Sequence, residues 1–304
     1  PGAFLAAADG GAAGEVPPGG VLVVWALQHV GMTTPARVSA ALTALGSLAL
    51  PCVLVAVRSL CHEPAARRLA PVLSIAPFAV WTAGSVDALV LALTAAAIAC
   101  GVIGSEPRRS AAWAAGAGFL LGLATLVSYV AWGLAAAVVI TYFVRRRPLP
   151  NLVTGIAFLV PLFAAQLAGF IWSRGFGSAR SQLHAATAAR PGVIWLVLDV
   201  VAVVAVAGPT LVASARKIRR TPGWPFLVGA SIGLAFAVAT GLSRGDGERA
   251  LLPFLPWLLV AAVAPERRPS SGDPPERTAA VFPAALTAVG AAVALLWQVL
   301  AAGN

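Results

Sequence analysis

The stretch "SVDALVLALTAAAIACGVIG", residues 85–104, decides the fold. It carries one charged side chain, Asp87, at its start, and no other as far as Gly104. Apolar residues do not alternate with polar ones, as a half-buried strand would require, and the run is too long for a buried strand. As a helix rising about 1.5 Å per residue, it spans about 30 Å, the thickness of a hydrocarbon core. Lipid offers backbone groups no partner outside their own segment, which selects the helix.

Working outward, comparable runs recur at 35–60, 67–83, 110–127, 129–144, 150–173, 193–215, 223–242, 247–264 and 279–301. With 85–104 they predict an all-α, polytopic helical membrane protein of about ten transmembrane spans. The pairs 67–104 and 110–144 also read as single hairpins broken at TAGS or SYV. Residues 19–31 (GGVLVVWALQHVG), opened by Pro17 and Pro18, predict a helix of about 20 Å, too short to span and suited to the interface. Residues 1–34 therefore read as an outer segment with a juxtamembrane helix, and 35–264 as the transmembrane core. Residues 265–278 (PERRPSSGDPPERT) read as a cytoplasmic linker, and 279–304 as a final spanning helix. No internal repeat of the inverted-transporter kind is evident.

Composition agrees. The 304 residues are 59% hydrophobic and only 11% charged, against about 25% charged in soluble domains. On a soluble chain the net charge of +10 would suggest nucleic acid. Here it marks cytoplasmic loops, so membrane lipids and not nucleic acid are the expected partners. With the N-terminal segment outside, inner loops receive fifteen of the 21 basic residues. The outer side keeps Arg37, Arg174, Arg180, Arg190, Arg244 and Arg249. Localisation in the plasma membrane as a multi-pass protein follows. Cys52, Cys61 and Cys100 show no metal or disulfide spacing. The chain begins at Pro1, and residues 1–18 lack the basic and apolar regions of a signal peptide. The expectation is a fragment with sequence upstream.

Ionisable groups in or beside spans are functional candidates. Asp87 suits a first helical turn, and also a site. Asp199, about 9 Å into its span, needs a partner or a proton. The gap "SRGDGERALLPFLPW" (243–257) gathers Arg244, Asp246, Glu248 and Arg249. Glu248 suits a helix start, whereas Arg249 there calls for an anion, either Glu248 or a phosphate. Pro253 and Pro256 disturb the helix below. A solvated salt-bridge cluster is the plainer reading. The outer stretch 174–192 (RGFGSARSQLHAATAARPG) reads as a loop carrying Arg174, Arg180, His184 and Arg190, which either bind an anion or are merely solvated. Trp81, Trp132, Trp172 and Trp195 read as interfacial anchors or as sugar-stacking rings. Asp9 and Glu15 are the acids of the first outer segment, where a carboxylate could serve as general base.

Three stretches carry a family likeness. "EVPPGGVLVVWALQHVGMTTPARVSAAL" resembles the turn and juxtamembrane helix that follow the first outer loop in multi-spanning glycosyltransferases of the GT-C superfamily, with Arg37 near the next span. "AARRLAPVLSIAPFAVWTAGSVDALVLAL" resembles their third and fourth spans, Asp87 falling at their Asp. "GLSRGDGERALLPFLPWLL" is similar to a stretch of uncharacterised actinobacterial integral membrane proteins of this type; Glu248 and Arg249 match, Arg244 stands for Lys, and Asp246 for Glu. The likeness covers most of residues 15–264. It implies a hexosyltransferase using a lipid-linked donor, polyprenyl-phosphate sugar, on the outer face. Asp9 and Asp87 are then the candidate catalytic acids. Arg244, Asp246, Glu248, Arg249, Arg174, His184 and Arg37 are the candidate substrate-binding residues, arginines stabilising the phosphate leaving group. Members work with or without a divalent cation, and no spacing here indicates a metal or other cofactor. Two departures stand out. Val16 precedes Pro17-Pro18-Gly19 where the family has His, and the family's first span and main catalytic acid fall before residue 1. A transporter or flippase for an anionic lipid, or a non-catalytic GT-C-like subunit, would show many of the same features.

Overall fold

The computed structural model describes residues 17–107, 109–214, 221–245, 247–263 and 281–302. Asp9, Asp246 and the linker 265–278 lie outside the described residues. Among the described residues there is no strand.

The chain opens with α1 (Gly19–His29), the short helix expected from its length. α2 (Pro35–Ser47) and α3 (Ala49–Cys61) run on as one apolar stretch of 27 residues. α4 (Glu63–Ser74) ends early, and a 3-10 turn at Pro77–Thr82 replaces the rest of the span read over 67–83. α5 (Val86–Gly104) starts where the sequence says it should. The Ser85 hydroxyl accepts from the Asp87 N–H at 3.0 Å, the usual device for an orphan donor at a helix start. α6 (Ala111–Val127), a 3-10 turn at Ala131–Leu134, α7 (Ala135–Val144) and α8 (Leu149–Leu167) follow.

Three sequence-based boundaries change beyond this point. The stretch 174–192 is mostly helix, α9 (Trp172–Ala186), not a loop. Trp172, Phe176, Ala179 and Leu183 recur at helical spacing, and Phe176 and Trp172 pack into a small core with Tyr129 and Phe170. The span read over 193–215 breaks into α10 (Gly192–Ala207) and α11 (Pro209–Ser214), because Gly208 takes φ +80° and Pro209 has no N–H to continue the ladder. After α12 (Trp224–Thr240), the span read over 247–264 is a chain of single turns. These are α13 (Gly247–Ala250), a 3-10 turn at Leu252–Phe254, α14 (Leu255–Leu258) and a 3-10 turn at Leu259–Val263. Pro253 and Pro256 interrupt the hydrogen-bond ladder, and Leu251 through Ala262 are all buried. Irregular backbone at membrane depth survives when protein surrounds it, as here. α15 (Val281–Ala302) closes the described chain.

Among the described residues, three helices are long and apolar enough to cross a membrane by themselves: Pro35–Cys61, Val86–Gly104 and Leu149–Leu167. α5 lies at the centre, buried along most of its length. Small residues let neighbours approach closely. A Cβ on Gly118 would stand 2.0 Å from the Thr154 carbonyl oxygen, and one on Gly122 2.5 Å from that of Phe158. This Gly-xxx-Gly seam joins α6 to α8, where packing rather than a hydrophobic drive holds membrane helices together. The seam is reinforced by the Thr154 hydroxyl, which donates to the Ala114 carbonyl at 3.0 Å and accepts from Tyr142 at 3.1 Å.

The two ends of the bundle differ chemically. At the C-terminal end of α5, Glu106 accepts from Ser59 at 2.7 Å and from Arg109 at 3.2 Å. Arg147 donates to the Glu106 carbonyl at 2.6 Å, and Arg145 to that of Ser59. The Ser59 hydroxyl, helped by Arg109 and Arg145, holds the Glu106 carboxyl below its ordinary range. At the opposite end, about 28 Å away along α5, the Gly84 N–H donates to Thr43 at 2.9 Å. Trp172 donates to the Thr125 carbonyl at 3.2 Å. An aromatic chain runs on from there through Tyr129, Trp172, Phe176, Phe236 and Trp132.

Candidate functional site

The aromatic chain leads to the end of α12. There the helix stops at Gly241, which takes a left-handed φ of +75°, and the chain turns toward α13. Gly241 has no side chain for a reason visible in space. A Cβ would stand 2.5 Å from His184 Nε2 and 3.0 Å from Arg244 Nε. His184, on α9, reaches the Thr240 carbonyl at 3.1 Å; a carbonyl only accepts, so Nε2 carries the proton. The Arg244 guanidinium also lies against Gly192, at 3.5 Å from a Cβ built there. Most of the stretch read as an outer loop over 174–192 is thus a helix, α9, tied by His184 to the end of α12 beside Arg244.

Asp199 sits behind that turn. Its side chain is 4% exposed, on the second turn of α10. The Ser243 hydroxyl donates to Oδ2 at 2.7 Å, and Arg244 is close enough for its charge to act on the carboxylate. A Cβ on Gly247 would stand 2.9 Å from Oδ1, so the carboxylate lies directly against the α13 backbone. The partner that a lone intramembrane carboxylate demands is present.

Two cavities lie beside this cluster. One, of about 330 Å³, is polar at its walls: Arg190, Trp195, Asp199, Ser243 and Glu248 line it. Arg190 lies over the Trp195 ring at 5.4 Å, and the Trp195 N–H reaches the Thr187 carbonyl at 3.2 Å. The other, of about 1260 Å³, is apolar, walled by Trp81, Val204, Val206, Val212, Val289 and Val293 among others. Glu248 is its one ionisable lining residue among the described residues. Ala202 and Glu248 line both cavities and form the wall they share.

The residues singled out by sequence divide accordingly. Arg244, His184 and Glu248 are drawn to one end, around α9, α12 and α13. Asp87 is half-buried at the start of α5 and accepts from the Ser85 hydroxyl at 2.8 Å; it lines neither cavity. Arg249 is exposed, lines neither cavity, and has no hydrogen bond or ion pair among the described residues. Arg37 and Arg174 are exposed in the first turns of α2 and α9. Asp9 and Asp246 lie outside the described residues. Ser243 was missed in sequence, although it stands beside Arg244. Among the described residues no group of three or more His, Cys, Asp or Glu side chains could hold a metal ion.

No protein-family model matches the chain, and no curated protein matches it. A solved structure does: ArnT from Cupriavidus metallidurans bound to undecaprenyl phosphate, at a TM-score of 0.54 and 18% identity. The match covers 82% of this chain and 50% of that one, so the chain spans about half the length of the ArnT structure. At this identity the likeness concerns the fold alone, a polytopic helical membrane fold that this chain shares with the ArnT structure.

Proposed function

We propose that this chain is the membrane core of a glycosyltransferase that moves a sugar from a polyprenyl-phosphate-linked donor to an acceptor on the outer face of the cell membrane. The observation that carries the reading is the wall shared at Ala202 and Glu248, with a large apolar cavity on one side and a small polar one on the other. That shape suits an amphiphile with a long hydrocarbon tail and a compact charged head. A fold shared with a protein solved bound to undecaprenyl phosphate supports the same choice of ligand class.

In this reading the prenyl tail lies along the valine walls and the phosphate enters the polar cavity. Arg190 on its wall meets the phosphate oxygens, for which a guanidinium fork is well shaped, and Arg244, on the turn beside the cavity, would swing in to join it. An acceptor hydroxyl attacks the anomeric carbon while the bond from that carbon to the phosphate oxygen breaks. The electron pair leaves with the lipid phosphate, whose growing charge the arginines stabilise. A carboxylate takes the hydroxyl proton. Glu248, on the shared wall, is the candidate within the described residues, and Asp9 of the first outer segment is the candidate beyond them. Asp87 is better suited to capping α5.

The test is transfer of labelled sugar from a polyprenyl-phosphate donor by the full-length protein in vesicles, with Arg244→Ala as the matched variant. Label in a new glycosidic bond, lost in the variant, supports the enzyme. Labelled lipid that crosses the bilayer with no new bond supports a carrier of anionic lipid instead, and neither outcome leaves a non-catalytic subunit.

A further inference from the structure

We infer that Asp199 is a positioning residue, a buried clasp on Ser243 and Gly247 that holds Glu248 on the wall shared by the two cavities. This rests on the reading of the site given above. Two contacts from one carboxylate carry it. Oδ2 accepts the Ser243 hydroxyl at 2.7 Å, just before Arg244. Oδ1 lies against Gly247, just before Glu248, where a Cβ would come within 2.9 Å.

The turn needs such a clasp. Gly245, with φ +90°, breaks any helical continuity between α12 and α13. α13 is four residues long and cannot hold itself by its own hydrogen bonds. Neither Glu248 nor Arg249 has a hydrogen bond or ion pair among the described residues, so nothing on α13 itself fixes which of the two faces inward. The phase is set by Gly247 seated on Asp199: with that residue against α10, Glu248 lines both cavities and Arg249 turns out to the surface. A carboxylate buried at this depth is costly without a partner, and the Ser243 hydroxyl is that partner.

The clasp is read by accessibility, independently of chemistry. In the full-length protein with Cys52, Cys61 and Cys100 replaced, Glu248→Cys is labelled with a charged, membrane-impermeant maleimide. Ser243→Ala and Asp199→Ala are each expected to speed labelling about tenfold, the order set by one lost buried hydrogen bond. Asp199→Asn keeps an acceptor for Ser243 and is expected to stay within about twofold of the parent. Gly247→Ala pushes on the carboxylate from the other side and is expected to speed labelling too, which decides the matter should Asp199→Ala fail to fold. Unchanged labelling in Ser243→Ala and Gly247→Ala overturns the inference. Transfer assays on the chain with native Glu248 add a second readout. Asp199→Ala is expected to raise the donor KM more than it lowers kcat, with Asp199→Asn restoring most of the loss. An Asn variant as inactive as the Ala variant would make Asp199 a chemical participant and overturn the clasp. If the parent transfers no sugar at all, the function proposed above fails, and the labelling arms still decide the clasp.

Discussion

Replacing Gly118 by alanine should damage this protein far more than replacing Gly155, although both are helical glycines on facing helices of one pair. A Cβ on Gly118 lands 2.0 Å from the Thr154 carbonyl oxygen and 2.9 Å from the Phe158 nitrogen. Both obstacles are backbone, so no rotamer change relieves them. The α8 backbone must retreat by about 1 Å, and a close-packed interface has no such slack. Overpacking of this kind costs about 1–3 kcal/mol. The same retreat loosens the Thr154 hydroxyl from the Ala114 carbonyl, now at 3.0 Å, and such interhelical bonds contribute about 0.6 kcal/mol on average in a membrane. The sum, roughly 2–4 kcal/mol, is expected to lower the thermal midpoint of the detergent-solubilised protein by about 5–10 °C. Gly155 has nothing within 4 Å of its added Cβ. Gly155→Ala should be neutral, or stabilise by up to about 1 kcal/mol through helix propensity. The assay is the fraction remaining monodisperse on gel filtration after heating. Equal losses in the two variants, or none in Gly118→Ala, would refute the Gly-xxx-Gly seam as the basis of α6–α8 packing.

Arg244→Ala should reduce sugar transfer about 10- to 100-fold, the scale of one charge-assisted hydrogen bond, while Arg249→Ala stays within about threefold. Equal losses in steady-state assays of the two would contradict the outward placement of Arg249. Glu106 should make the opposite end of the bundle sensitive to acid. Its folded-state pKa is lowered from an ordinary 4.5, chiefly by the Ser59 hydroxyl, so its stabilisation is complete above that value and is lost as pH falls through the lowered one. Glu106→Gln should flatten thermal midpoints measured across that acidic window; an unchanged pH profile would count against the Glu106 cluster. Val293→Trp, filling part of the apolar cavity from α15, should weaken use of a long prenyl donor more than of a short-chain analogue, read as the ratio of their kcat/KM values.

Much of the fold can be read from the chain because its solvent is lipid. The run at 85–104 had one helical solution, and Ser85 with Asp87 marks its start. Opposite ends of α5 carry the charge sorting expected from the loops, Ser59, Glu106, Arg109, Arg145 and Arg147 gathering at one. Asp199 was visible as a carboxylate in need of a partner, but not the partner: Ser243 lies 44 residues away and only packing brings it near. α9 was misread as a loop because Gly175, Gly177 and seven polar side chains dilute its apolar stripe. The emphasis on Arg249 over Glu248 had a finer cause. On a four-residue helix, adjacent side chains point about 100° apart, and a contact elsewhere chooses which one faces in. The apolar cavity was out of reach, since its walls come from residues 81, 202–213 and 289–294.

The solvent also limits what the large cavity can contribute on the proposed reading. A prenyl tail moving from bilayer to valine-lined wall exchanges one apolar surface for another, so the hydrophobic effect gives almost nothing. Discrimination among membrane lipids must then come from the polar cavity, where a charged head is stripped of water. Among the described residues, Arg190, Asp199 and Glu248 line it and Arg244 stands nearby, so acids and bases balance around the site before a ligand enters. A sugar-bearing lipid phosphate is a diester with one negative charge. The lipid phosphate left after transfer carries about −1.5 to −2 at neutral pH. Added beside two carboxylates, that extra charge disfavours the product relative to the donor, and Glu248 on the shared wall stands where the repulsion is felt. The same acid that rejects the spent carrier limits how tightly the donor is held, which places the discrimination in the difference between the two charges rather than in total affinity.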